Sequence, residues 1–573
     1  MSEPGEPIPE ELPGEPPAAP VRAGGAASVA AGILLSRLLG VLRESTLAHY
    51  FGVGAHADAF TAALRVPNLL QNLLGEGALS AAFVPVYSRM LAEHREEDAG
   101  RFAGAIFGLL LAAASALALL GFALAKPLVF ALAPGFWGDA ARVAAGELPV
   151  DRFDLCVHAV RILFPMTGFL VLSVWALGIL NSHRRFFLPY FAPVVWNAAM
   201  IAALVATGSW RLGGADARHL GAAAQTTLFY AACWGGLVGG VLQLLVQLPV
   251  VARVIRGFHL SFSTQVPGVR EALAAWGPVV AGRGVVQLAG YFDLFLATQL
   301  APGAASADRY AQMLYLLPIS LFGVSVAASE LPELSRLHGR GAEPELLRRV
   351  MRVLRAMAFL NVPTVVGYLC FGWLIAGALY RSGNFRVGDN WLVYLVLAGY
   401  SLGILATTSS RLLQNTFYAL GESRVPARIA VVRVTASILV ALPLMFWLDR
   451  YPLALLIGPR AGAFRLGSIG LSTASAVGAW LELLRLRGRL RRRLPGFDLP
   501  WRDDARMIGV ALAAALPAAL LWWLLPPLPA RLAAPLVVAV YALIYFALAK
   551  LAGIAEVTDF LEGVKRRLGR FRR

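Results

Sequence analysis

Fourteen apolar runs, each about twenty residues or longer, follow one another from Ala26 almost to the C-terminus. At helical rise, about twenty residues cross the roughly 30 Å hydrocarbon layer of a bilayer. The runs cover 26–50, 60–88, 102–132, 157–180, 187–207, 221–252, 271–300, 307–334, 351–379, 391–418, 425–448, 466–484, 507–526 and 532–551. They are continuous rather than alternating in steps of two, which predicts helices and excludes a transmembrane barrel. Composition excludes a soluble alternative: 58% of the 573 residues are hydrophobic and 15% charged, against about 45–50% and about 25% in soluble domains. The expected class is an all-α polytopic membrane protein with fourteen transmembrane helices.

Charge gives the orientation. Loops on one side of the predicted membrane carry thirty basic residues and those on the other eleven, so the positive-inside rule places both termini in the cytoplasm. The arginine runs at 485–493 and 565–573 read as topology and anionic-headgroup anchors rather than a nucleic-acid site. Residues 1–25 hold seven prolines and five glutamates, a composition too polar to repay the entropy of ordering, and are expected to form a disordered cytoplasmic tail. Residues 552–573 form a basic cytoplasmic tail. Cys156, Cys233 and Cys370 are scattered, and the eight histidines show no ligand spacing, so no metal site is expected. No P-loop, HExxH or GxSxG motif is present, and no enzymatic activity is expected.

An internal repeat divides the chain. Ala57-Asp58-Ala59-Phe60 returns as Ala307-Asp308-Arg309-Tyr310, and the Pro85 to Arg89 stretch returns as Pro332 to Arg336, at offsets of 250 and 247. Both copies sit in the second helix of a six-helix unit. An even number of helices per unit gives a parallel repeat, as in transporters that rock two lobes around a central site. The expected organisation is an N-lobe at 26–255, a C-lobe at 270–486 and an extra helix pair at 507–551.

Intramembrane charge marks the expected site. Arg37 lies near the middle of the first span, where an arginine costs about 2.5–3.5 kcal/mol on the insertion scale. Arg43 follows on the same helix, and Arg65 lies in the second beside Pro67. Asp58 and Glu76 are the nearby acids, and a plainer reading has these arginines snorkelling or pairing with them. Three arginines in one lobe, one of them deep, point instead to a water-filled cationic cavity. In the second lobe Arg283 and Gln287 share a helix face and Asp293 follows. Arginine forks hold phosphate and pyrophosphate best, so the expected substrate is anionic.

Ser36 to Glu44, Phe51 to Gly54, Asp58-Ala59-Phe60, Arg65 to Leu69 and Gly75 to Pro85 closely resemble the lipid II flippase MurJ (MviN) family. So do Tyr310-Ala311 through Leu317-Pro318, Leu331 to Ser335 and Phe417 to Pro426. The resemblance runs from about 26 to 486. It implies the multidrug/oligosaccharidyl-lipid/polysaccharide exporter fold, in which two six-helix lobes enclose a cationic cavity and helices 13 and 14 form a groove for the lipid tail. It also implies lipid II, the undecaprenyl-pyrophosphate disaccharide-pentapeptide, as the substrate moved to the outer leaflet of the bacterial cytoplasmic membrane. Essential cavity arginines would then be Arg37, Arg43 and Arg65, with an acid at Asp58. Where many members carry a basic residue in helix 8 this chain has Met313, and Arg283 is expected to supply that charge. The sodium site of some members would fall on Asp293 and Ser475, so a sodium or proton gradient, or the membrane potential, is expected to reset the cycle. No cofactor is expected, and the partners are lipid II, membrane lipids and peptidoglycan synthesis enzymes around a monomer. An exporter of another polyprenyl-linked glycan, or of drugs, is the alternative on the same fold.

Overall fold

In the computed structural model every regular element among the described residues is a helix, apart from one isolated bridge between Pro452 and Arg465. Backbone is described for 23–562 except 75, 212, 215, 526–527, 559 and 561. Side chains are not described at 23–31, 66, 69–74, 76–78, 80–81, 278–290, 324–325 and 328. The acidic tail and most of the basic C-terminal tail therefore lie outside the described residues, as do the side chains of Arg283, Gln287 and Glu76.

The first part of the chain forms α1 (Ala23–Phe51), α2 (Ala55–Leu74), α3 (Glu76–Ala92), α4 (Glu96–Ala123) and α5 (Ala125–Leu132). It continues through the short α6 (Asp139–Ala144), α7 (Arg152–Ser182), α8 (Phe187–Ala206), α9 (Ala222–Leu245) and α10 (Leu248–Val254). A strap at 255–268 leads to α11 (Val269–Thr298), α12 (Ala304–Pro318), α13 (Ser325–Gly339), α14 (Glu343–Tyr380), α15 (Val387–Ser401) and α16 (Ile404–Ala419). Then come α17 (Arg424–Leu448), the one-turn α18 (Ala454–Ile457), α19 (Gly467–Arg493), α20 (Trp501–Leu524) and α21 (Ala530–Leu551).

Eight helical segments among the described residues are long and apolar enough to cross a membrane, and the pair α15–α16, bent by 41°, makes a ninth. Those that fall short include α2, α12, which has only 15 residues, and α19. They carry Asp58, Arg65, Arg309 and Glu482, charges that need a polar interior rather than lipid.

Several runs expected to be continuous are broken. The run 307–334 divides at a π-helical stretch, Ile319–Val324, after Pro318, and 391–418 divides between α15 and α16. In 102–132 the helix stops at Ala123, whose carbonyl would bond the missing N–H of Pro127.

In the first half α7 is central and packs on α2, α4 and α9. In the second half α19 packs on α15, α16 and α17, while α14 bears α20 and α21. Gly100, Gly104 and Gly108 form a strip on α4. A Cβ there would stand 1.9 Å from the Arg256 carbonyl oxygen, 2.1 Å from that of His259 and 2.1 Å from that of Ser261. The strap joining the halves thus lies directly on helix backbone, which only glycine permits. Gly104→Leu should lift the strap off α4, lowering the thermal midpoint by several degrees and opening 255–263 to protease; a variant as resistant as wild type would contradict this contact.

Candidate functional site

The site is built where α1 and α2 of the first half meet α12 of the second. Arg43 donates through Nη2 to Glu44 Oε1 at 2.6 Å and through Nη1 to Asn197 at 2.9 Å, and its guanidinium lies 4.7 Å from the Trp196 ring centroid. Arg309 on α12 donates to the same Glu44 oxygen at 2.7 Å and sits 5.5 Å from the Phe60 ring. The Glu44 side chain is 3% exposed, with its second oxygen buried and without a hydrogen-bond partner. Two guanidiniums thus converge on one carboxylate, leaving excess positive charge. Aromatic faces hold both in place.

One turn further along α12 is a second cluster. Arg65 donates to Gln312 Oε1 at 2.8 Å, and the Gln312 amide donates to Asp308 at 2.8 Å and to the Tyr400 hydroxyl oxygen at 3.0 Å. Tyr400 in turn donates to Asp308 at 2.7 Å. Arg37 is exposed and has no acid partner among the described residues. It lies two turns from Glu44 on the same face of α1, and Gly40 between them faces Met313, whose methyl carbon is 3.8 Å from where a Cβ would stand. Arg65 therefore reaches α12 directly, and Arg43 is tied to it through the Glu44 carboxylate that Arg309 shares.

Asp58 belongs to a different network. It is 1% exposed and accepts from the Gly303 N–H at 2.6 Å, the Ser306 N–H at 2.8 Å and the Ser306 hydroxyl at 2.7 Å. It thereby caps the N-terminus of α12 from the opposite half. Arg152 adds a contact at 3.4 Å while holding Asp139 at 2.5 Å and lying 4.4 Å from the Phe136 ring. The geometry makes Asp58 a strut between the halves, away from the Arg43 cluster.

More struts occupy this arginine-poor end. Ser45 donates to the Leu379 carbonyl at 2.5 Å, the Asn384 N–H to the His49 carbonyl at 2.8 Å, and Tyr310 to the Gly52 carbonyl at 3.3 Å. Gly52, at φ 61°, lies so near that a Cβ would be 2.6 Å from the Asn384 oxygen. At the arginine-rich end, the pair between Arg89 and Glu271 is about half exposed on both sides. The halves are clamped by buried polar struts at one end and meet at the other through α3 and α11, where Val269 and Ala272 are buried in one apolar cluster with Val86 and Met90.

Arg309 supplies a second-half charge at the site, while the side chain of Arg283, expected to do so, lies outside the described residues. Arg309 lies four residues before Met313, on the same face of α12 and one turn away. The Asp308-Arg309 pair was already visible as part of the repeat; its periodicity relative to Met313 was the available signal. Glu44 was visible only as part of a motif. Asp293 feels the charges of Arg65 and Arg433. Arg433 is bonded at 2.6 Å to Glu482, which also accepts from Gln414 at 2.7 Å. Ser475 is half-buried on α19.

A cluster of arginines buried between two helical halves of a polytopic chain is the arrangement of a membrane transporter. The sequence matches the model of the family described as lipid II flippase MurJ over residues 47–546. It is 32% identical over 490 residues to the lipid II flippase MurJ of Burkholderia cenocepacia, covering 84% of this chain and 86% of that one. It is 31% identical to a probable lipid II flippase MurJ of Rhizobium meliloti, covering 94% and 96%. The chain belongs to the MurJ family. Its fold is similar to that of a MurJ structure in an inward closed conformation, with a TM-score of 0.68 at 20% identity over 91% of this chain and 98% of that one. An inward-facing multidrug transporter of the multidrug and toxin extrusion family follows at 0.60 and 14%, covering 82% and 98%.

Proposed function

We propose that this protein is a lipid II flippase of the bacterial cytoplasmic membrane, working by alternating access with fourteen crossings, two six-helix lobes and both termini in the cytoplasm. The observation that carries the reading is the meeting of Arg43 and Arg309 on one Glu44 oxygen, with Arg65 bonded one turn further along α12 and Arg37, which has no acid partner among the described residues, two turns from Glu44 on α1. Together they suit a pyrophosphate, which accepts several forked guanidinium bonds at once. The arginine-rich end faces the cytoplasm, so the end held by Asp58 is periplasmic, and the contact between α3 and α11 parts to admit the headgroup from inside. The headgroup enters and takes the donors that Arg43 and Arg309 do not spend on Glu44, which stays paired with both.

That contact reaches the clamp mechanically, since α12 carries Arg309 and Gln312 at one point and is capped by Asp58 at its start. A headgroup pulling α12 toward α1 and α2 biases the clamp, and rocking exposes the cargo to the periplasm. The polyprenyl tail remains in lipid beside α20 and α21, whose outer faces present exposed leucines including Leu516 and Leu543. The membrane potential supplies the reset, acting on the uncompensated arginine charge. A proton or sodium ion at Asp293 and Ser475 is a weaker reading, because Arg433 already occupies the acid's surroundings with positive charge.

Complementation of a flippase-depleted bacterium tests this reading. Wild type should restore growth, and Arg37→Ala and Arg65→Ala should fail at normal membrane levels. Growth with both variants would contradict the proposal. The multidrug likeness favours drug export as a second reading; unchanged drug susceptibility on expression would set it aside.

A further inference from the structure

At the clamped end, outside the arginine cluster, a half-open cavity of about 510 Å³ lies between the two halves. The first half contributes His56 and Gln225; the second contributes Asn384, Arg386, Asp389 and Arg460. Arg460 stands on a loop shaped by Gly458, at φ 68° and ψ −155°, and Gly462, at φ 64° and ψ −149°, conformations that side-chain-bearing residues rarely adopt. The loop meets α15 closely enough that a Cβ on Gly388 would be 2.8 Å from the Ala461 oxygen. These walls are fixed by backbone contact.

The chemistry of the lining is one-sided. Asp389 spends its carboxylate on the Arg386 N–H at 2.6 Å, closing the N-terminus of its own helix. The Arg386 guanidinium donates one bond, to the Arg218 carbonyl at 3.3 Å, and neither it nor Arg460 is ion-paired among the described residues. His56 shares a hydrogen bond with Thr226 at 2.9 Å. The Gln225 amide already donates to the Leu220 carbonyl at 3.5 Å and the Asn384 amide to the Tyr50 carbonyl at 3.4 Å, so it is the two guanidiniums that are left for a ligand, in a volume typical of small-molecule sites.

We propose that this cavity binds a carboxylate-bearing solute of glycopeptide-fragment size from the periplasmic side, and that its occupation holds the outer end shut and slows transport. The regulation rests on the alternating-access reading above. A ligand touching both halves binds only when they are together, and so shifts the equilibrium toward the closed end.

The test uses the full-length protein in nanodiscs, with muramyl dipeptide as the carboxylate probe and chitobiose as a neutral control. Calorimetry should show saturable binding of the first and none of the second. Arg460→Ala and Arg386→Ala should each weaken it at least tenfold, and Arg460→Lys should recover part. Spin labels at the exposed positions 145 and 455 should show the closed distance enriched by the probe, and flipping of lipid II in proteoliposomes should slow with wild type but not with Arg460→Ala. Equal binding of chitobiose, unchanged affinity in both alanine variants, or a distance distribution indifferent to the probe would overturn the proposal. An active flippase that ignores the probe sinks the pocket alone; a protein that binds the probe but never moves lipid II sinks the flippase reading and leaves the binding site standing.

Discussion

Arg309→Ala should abolish growth support in a flippase-depleted bacterium, whereas Arg283→Ala should retain more of it. Arg309 and Arg43 share one oxygen of a Glu44 side chain that is 3% exposed. Removing one partner of a buried ion pair typically costs about 3–5 kcal/mol, because the remaining charge is left uncompensated. Here Arg43 still holds Glu44, so much of the folding cost is spared. The loss falls on the substrate, which forfeits a forked donor worth about 1.5–3 kcal/mol per charge-assisted bond. Flipping should drop roughly ten- to a hundredfold or more, and Arg309→Lys should recover only part because an ammonium cannot fork. Lipid II accessibility to an external probe reads the rate, and membrane level by immunoblot separates it from misfolding. If Arg309→Ala flips at the wild-type rate, α12 does not carry the second-half charge.

Asp58→Ala is expected to act on the resting state rather than on binding. Its carboxylate accepts three hydrogen bonds from the start of α12 and touches Arg152, all from a site 1% exposed. Loss of the anion leaves two helix N–H groups and one contact of Arg152 unanswered at the junction. At about 3–5 kcal/mol, the closed outer end should lose about two to four orders of magnitude in its population ratio. A label at 145 paired with one at 455 should then report a broadened, longer distance, and lipid II affinity should change less than it does in Arg309→Ala. Asp58→Asn should fall between, since an amide oxygen still accepts from Gly303 and Ser306. A closed distance identical to wild type in Asp58→Ala would show that the other struts suffice.

Much of the helical order could be read directly from the apolar runs, because helices in lipid must satisfy their backbone internally and so announce themselves by length. Where reading failed, the cause was local chemistry. Pro127 and Pro318 interrupt runs that hydropathy alone joins, and the strap at 255–268 is held by three glycines on α4 that resemble ordinary small residues in sequence. The inward-looking arginines were legible from their cost in the bilayer. Their partners were not: Glu44 lies beside Arg43 in sequence, but Arg309 is 265 residues away from it, and only folding shows that one carboxylate serves both. Asp58 read as a cavity acid because it is a charge in the right helix, and nothing in the chain signals that it caps a helix of the other half.

Photocrosslinking from position 313 tests the central claim most directly. Met313 faces Gly40 between Arg37 and the Arg43–Arg309 pair, so a benzophenone amino acid there should capture lipid II in cells, and capture should fall sharply in the Arg43→Ala and Arg309→Ala backgrounds. Capture that is absent at 313, or present and indifferent to both substitutions, would mean that the headgroup does not travel through the arginine chamber.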